Sequence, residues 1–145
     1  MDAIVLLQKD HRSLRALFKK VDKTTERSYK MREKLFKQIK KSLKLHTKLE
    51  EKYLYPLLKE FKLTRALAFE AFEEHDEVDY MLKQISKCDA NSEVWTARFT
   101  VLKENISHHI REEEKSLFPK VKKIIPKDDL KLMGELMEEY KSGYS

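Results

Sequence analysis

Two stretches of this chain, 63 residues apart, are near-copies of one another. With His46 laid over His109, the segment HTKLEEKYLYP (46–56) falls on HIREEEKSLFP (109–119). Glu50 then matches Glu113, Glu51 matches Glu114, Leu54 matches Leu117, Tyr55 matches Phe118 and Pro56 matches Pro119. Upstream, Phe36, Ile39 and Leu43 fall on Phe99, Leu102 and Ile106. Laying His11 over His75 brings Leu14, Phe18 and Val21 onto Val78, Leu82 and Ile85. The paired histidines are 35 residues apart in the first copy and 34 in the second. A chain repeating such a unit has to build the same supersecondary structure twice and bury both copies against each other.

The unit reads as a helical hairpin, because its apolar residues recur at three and four. Helices are predicted at about 3–23, with Asp2 as N-cap, and at about 27–60, with a kink or an early end at Pro56. The apolar stripe of this second helix runs through Met31, Leu35, Ile39, Leu43, Leu49 and Leu54. Further helices are predicted at about 64–87, with Thr64 as cap, and at about 92–123, after the short connector Cys88-Asp89-Ala90-Asn91. A last helix starts at Pro126 and runs to about 142, with residues 141–145 expected to fray. Only 2 Gly and 3 Pro occur in 145 residues, which argues against sandwiches, barrels and Gly-rich phosphate-binding folds. Short connections make successive helices antiparallel. The expected fold is therefore all-α: an up-down-up-down four-helix bundle with a short fifth helix at the C-terminus. Residues 1–145 form one domain, duplicated over about 3–60 and 64–123.

Cys88 is the lone cysteine, so neither a disulfide within the chain nor a thiolate metal cage is expected. No run of 18 apolar residues is present, and MDAIVLLQKDH has neither the basic start nor the apolar length of a signal peptide. A reducing, cytoplasmic setting is the resulting expectation. The net charge of +6 comes from 31 basic and 25 acidic residues interspersed along the helices. It reads as solvated lysine on helix faces, and without a nucleic-acid motif neither nucleic acid nor membrane is an expected partner.

The repeated polar residues carry the chemistry. Residues four apart on an α-helix lie about 40° from each other around its axis, so His46 and Glu50 share a face, as do His109 and Glu113. Counted from the turns at about 1.5 Å per residue, His11, His46, His75 and His109 fall within about two helical turns of one level. Four imidazoles and two carboxylates thus gather in one layer of the bundle, and unpaired burial of such groups is costly. Metal ions remove the cost. Imidazole with carboxylate suits iron, manganese or zinc, and six donors exceed what one tetrahedral zinc requires. Two ions bridged by Glu50 and Glu113 fit better, with His11, His46, His75 and His109 completing the set. Against this stands the plain reading, in which each His-x-x-x-Glu is a solvated surface pair. It fails to explain why two such pairs recur at matched depths.

Several neighbours have two readings each. Tyr53 lies about 20° from His46 around the helix, and either packs or binds metal through its phenol. Ser116 holds the same place in the second copy and could orient a water. His108 is about 100° from His109 and faces solvent or a neighbouring helix, or else exchanges roles with it. Glu74, Asp76 and Asp79 read as surface charges, or as acceptors for ligand N–H groups. Glu51 and Glu114 lie about 140° from the histidine of their own helix and read as solvated. Trp95, Phe36 and Phe99 read as core.

With these residues in hand, the chain resembles the hemerythrin-like, His-His-Glu cation-binding family. His11, His46 and Glu50 match its first triplet; His75, His109 and Glu113 match its second. Glu74-His75 and the trailing Leu-Tyr-Pro and Leu-Phe-Pro are similar too. The resemblance implies a non-haem centre of two iron ions, oxo- or hydroxo-bridged, that binds oxygen or reacts with peroxide or nitric oxide. The alternative it implies is a non-catalytic module that senses or buffers iron. Two departures stand out. Oxygen-carrying members have a further His four residues before the third-helix ligand, where this chain has Ala71. Their last carboxylate is an Asp five residues after its His, where the repeat here selects Glu113. The position that Ala71 leaves is open to water, a small ligand or Tyr53. The small-molecule partner implied is a diatomic or a peroxide. The longer repair proteins of the group carry an N-terminal Cys-containing domain that these residues do not include.

Overall fold

The computed structural model describes residues 1–144; of the segment expected to fray, Ser145 lies outside the described residues. Helix α1 spans Ala3–Asp22 and α2 Tyr29–Leu49. A wide π turn, Glu50–Leu54, joins α2 to α3 (Tyr55–Leu58). Then come α4 (Arg65–Ser86) and α5 (Glu93–Glu112). A second π turn, Glu113–Leu117, leads into α6 (Phe118–Ile124), and α7 (Lys127–Ser142) closes the chain. The helices α1, α2–α3, α4 and α5–α6 form the up-down-up-down bundle, and α7 lies across α1 as the fifth. No described helix is long and apolar enough to cross a membrane.

The ends of the helices follow from local chemistry. The Asp2 carboxylate accepts from the Val5 N–H at 2.9 Å, and the Ser92 hydroxyl from the Trp95 N–H at 3.1 Å, each satisfying an orphan first-turn donor. Thr64 stands at the start of α4, but its hydroxyl donates to the Leu58 carbonyl at 2.8 Å instead of capping the helix.

The expected kink at Pro56 takes a different form. Proline lacks an N–H and its ring collides with the carbonyl four residues back. The helix widens just before it, and the Tyr55 N–H reaches the Glu50 carbonyl five residues away. The second copy answers Pro119 in the same way, with the Phe118 N–H on the Glu113 carbonyl.

The core is in two parts. Leu14, Phe18, Leu35, Ile39, Leu43, Val78, Leu82, Trp95, Phe99, Leu102 and Ile106 fill one end of the bundle. Ile4, Leu7, Leu49, Leu54, Leu58, Ala68, Ala71, Leu117, Phe118 and Val121 fill the other, where Leu130, Met133 and Met137 of α7 join them. Met31 was expected in the apolar stripe but is 49 % exposed, and its neighbour Arg32 is buried. Arg32 lies over the Trp95 ring at 4.8 Å and donates to the Ala90 carbonyl at 3.1 Å, tying the two loop ends together. Gly134 lets α7 approach the N-terminus. A Cβ there would overlap the Met1 carbonyl oxygen and lie 2.7 and 2.8 Å from backbone atoms of Asp2 and Ala3.

Candidate metal centre

Between the two apolar parts lies a polar layer. On α1, His11 comes between Leu7 and Leu14; on α2, His46 follows Leu43; on α4, His75 lies between Ala71 and Val78; on α5, His109 follows Ile106. Glu50 and Glu113 open the two π turns. All six side chains are buried, Glu50 and His11 completely. The six residues named from the sequence do meet at one level.

They fall into two groups of three. Donor atoms of His11, His46 and Glu113 lie within 4.8 Å of one another, and so do those of Glu50, His75 and His109. Each carboxylate therefore crosses to the histidines of the other hairpin while staying near its own. Glu50 Oε1 is 3.2 Å from His75 Nε2 and 3.3 Å from His46 Nε2. Glu113 Oε1 is 3.1 Å from His11 Nε2 and 3.4 Å from His109 Nε2. Each carboxylate thus lies between the two imidazole pairs.

The outer nitrogen of every imidazole is held by a carboxylate. The Nδ1–H groups donate as follows: His11 to Glu114 at 2.7 Å, His46 to Asp10 at 3.0 Å, His75 to Glu51 at 2.7 Å and His109 to Glu74 at 2.9 Å. Such partners fix ring orientation and make Nε2 the stronger donor, and Nε2 is the nitrogen that faces the layer. This corrects the reading of Glu51 and Glu114 as solvated. They point away from the histidine of their own helix because each serves one on another helix. Glu74 takes the acceptor role, Asp76 and Asp79 are exposed, and His108 is exposed beside Glu112. Asp10 was missed, although aligning His11 with His75 places it over Glu74.

Tyr53 is not the phenol of the site. It is half-buried and sits edge-on to Tyr140, with Lys52 over its ring. Tyr55 is the one, fully buried, with its O–H donating to Glu113 Oε2 at 2.8 Å and lying 3.2 Å from His75 Nε2. In an unbroken α-helix, nine residues after His46 is about 180° around the axis. The π turn takes up the equivalent of one residue, about 100°, and swings Tyr55 inward. Ser116 is half-buried.

Four polar atoms in the layer have no hydrogen-bond partner among the described residues: His46 Nε2, His109 Nε2 and both oxygens of Glu50. Buried polar atoms are almost always paired, so four together in one layer mark a place for a cation. Electrostatics point the same way. Burial alone would push the His46 and His109 imidazoles down, but Glu50 and Glu113 with Asp10 and Glu74 hold both well above the usual value. His75 is raised against its own burial by Glu50 and Glu51. Burial raises Glu50, yet the charge of the neighbouring His46, with Glu113 and His109 close by, holds it well below the carboxylate range. Without a cation these groups are held as ion pairs, so a divalent ion entering the layer would displace protons from it.

The comparisons agree with this chemistry. The family described as hemerythrin HHE cation binding domain matches residues 2–121, which excludes α7. A crystal structure of a hemerythrin HHE cation-binding domain-containing protein from Mycobacterium kansasii superposes with a TM-score of 0.87. It covers 99 % of this chain and 87 % of its own, at 23 % identity, a likeness of fold. No curated protein sequence matches the chain.

Proposed function

The chain belongs to the hemerythrin HHE cation-binding domain family, and on that premise we propose that it is a non-haem di-iron protein whose centre binds or reacts with dioxygen, peroxide or nitric oxide. The observation behind this is the pair of three-donor groups joined through Glu50 and Glu113, with both Glu50 oxygens otherwise unpartnered. His11 and His46 would hold one ion and His75 and His109 the other, with Glu50 and Glu113 reaching both. Iron bound there would supply the electrons and an exchangeable coordination position.

This chain's residues set what that position meets. The apolar layers above and below exclude bulk water. Tyr55 keeps its proton on Oη, because burial and the Glu113 and Glu50 charges push the phenol well above its usual value. That O–H is a proton donor beside the layer, 3.2 Å from His75 Nε2 and on the helix face where Ala71 stands one turn before His75. A void of about 20 Å³, open toward the surface at Glu70 and Glu112, is bordered by Ala71, Glu74, His109, Glu113 and Leu117. It has room for about one water. Cys88 as the lone, free thiol accords with a cytoplasmic setting.

The narrowness of the same void favours a second reading, a non-catalytic iron-sensing or iron-buffering module. Loading with ferrous iron under anaerobic conditions, followed by metal analysis and optical spectra before and after oxygen, peroxide or nitric oxide, separates the two. Two irons per chain, a new visible band and peroxide consumption support the first. Two irons and a raised Tm without turnover support the second. A folded protein that takes up no transition ion overturns both.

A further inference from the structure

The two halves of the layer match in their imidazoles but differ in what stands behind them. Behind His46, the Asp10 carboxylate is also gripped by Lys141, whose Nζ donates to Oδ1 at 2.6 Å. Behind His11, Glu114 has Arg15 at 3.7 Å. Behind His75 and His109, Glu51 and Glu74 meet no cation other than those imidazoles within 4.0 Å among the described residues. Lys40, Lys44, Lys48 and Lys83 line the surface cleft beside Glu51, and none comes within 4.0 Å of its carboxylate.

Lys141 comes from α7, outside the stretch the family matches. Its place is fixed by packing: Leu130, Gly134 and Met137 form the buried stripe of α7, and Lys141 is the next residue on that stripe. Gly134 sets the close approach that brings the stripe down on α1.

We propose that Lys141 is a positioning residue for the His11–His46 cation, acting through Asp10 and His46 to make that position the weaker of the two. The inference rests on the two-cation reading above. A free carboxylate behind an imidazole raises its donor strength. A lysine on that carboxylate cancels part of its charge, and the ammonium adds its own repulsion toward a divalent ion. Both effects act on the His11–His46 position, and the direct lysine–carboxylate contact behind them has no counterpart behind His75 and His109, where the lysines of the cleft stay beyond 4.0 Å of Glu51. The ion at the second position therefore binds first.

Anaerobic calorimetric and optical titration of the metal-stripped protein with cobalt(II) tests this. Two unequal steps are expected. In Lys141→Met the weaker step should tighten about three- to tenfold while the stronger stays within about twofold. Lys141→Arg should keep the original spacing, which a purely structural loss would not. Asp10→Asn should loosen the weaker step and abolish most of the response to Lys141→Met. No change in Lys141→Met, an equal shift of both steps, or a full response in the Asp10→Asn background overturns the proposal. Two equal steps in the unaltered protein also overturn it, leaving the two-cation reading intact. Uptake of one ion or none refutes that reading itself.

Discussion

Glu50 and Glu113 begin the same π turn, four residues after the same histidine, yet they sit in different company. Glu113 accepts a hydrogen bond from Tyr55 and faces His11 at hydrogen-bond distance. Glu50 has neither oxygen satisfied. For one of the two oxygens the difference traces to one hydroxyl. The residue placed like Tyr55 in the second copy is Phe118, which stacks on His11 at 5.9 Å and has nothing to offer Glu50. A duplicated scaffold thus delivers a symmetric set of imidazoles, and single side chains then make the two carboxylates unequal. Lys141, placed by α7, breaks the symmetry of the imidazoles' backing in the same way.

Removing either carboxylate is the strongest way to break this pattern. Each reaches both histidine pairs, so Glu50→Ala and Glu113→Ala are each expected to cut cation uptake from two per chain to one or none, read by metal analysis. The folded, metal-free proteins should then diverge. Glu113→Ala leaves the buried Tyr55 hydroxyl with only His75 Nε2 in reach and should cost about 1–3 kcal/mol in a denaturant melt. Glu50→Ala removes an unsatisfied carboxylate but leaves His46 without its main partner. Two variants with full cation loading would show that the carboxylates do not bridge.

The pH dependence of the metal-free protein comes next. His46, His75 and His109 titrate above 6.5 in the folded protein, so the stability they add is whole below about 6.5 and fades as pH rises through the raised values. Glu50 and Glu74 titrate below 4.5 and Asp10 below 3.8. Their contribution is whole above about 4.5 and is lost as pH falls through the lowered values. Melts from about pH 5 to about pH 9 should therefore show declining stability toward alkali. Saturation with a divalent ion should remove that decline, since the ion takes neutral imidazole. A metal-free protein that gains stability between about pH 6 and about pH 9 would contradict the ion pairs described.

Gly134→Ala probes the asymmetry from α7. The added methyl collides with Met1, Asp2 and Ala3 backbone, which cannot yield as a flexible side chain would. A loss of about 1–3 kcal/mol is expected, together with loosening of Lys141 from Asp10. An unchanged Tm would mean that α7 docks with room to spare.

The helices and the six inward donors were legible because they depend on spacing alone: apolar residues at three and four, His-x-x-x-Glu twice, and equal depths from the turns. What escaped depended on deviation from the regular helix. Pro56 signalled trouble, but proline can be met by a kink, a stop or a widened turn, and sequence spacing does not choose among them. The choice decided whether Tyr53 or Tyr55 entered the layer. The carboxylates behind the histidines escaped for another reason. Glu51 and Glu114 serve helices other than their own, so rotation about one axis places them outside. Their recurrence at matched positions, like that of Asp10 with Glu74, was the available signal.

The smallest expected effect is also the sharpest test of the comparison. If the missing hydroxyl explains why Glu50 is unsatisfied, Phe118→Tyr should supply it. By the pseudo-symmetry of the repeat, the new O–H points at Glu50 as Tyr55 points at Glu113. Satisfying a buried carboxylate this way should stabilise the metal-free protein by about 1 kcal/mol, read as a raised Tm. Tyr55→Phe should do the reverse by a similar amount, because Glu113 loses its donor while the ring keeps its edge contact with Phe72. In the iron-loaded protein the two variants should part company. Tyr55→Phe removes the phenol beside His75, whereas Phe118→Tyr places one beside His11, so their visible spectra should move in opposite senses. A destabilised Phe118→Tyr protein would mean that the His11 side has no space for the oxygen, and that crowding, as well as residue identity, keeps the halves distinct.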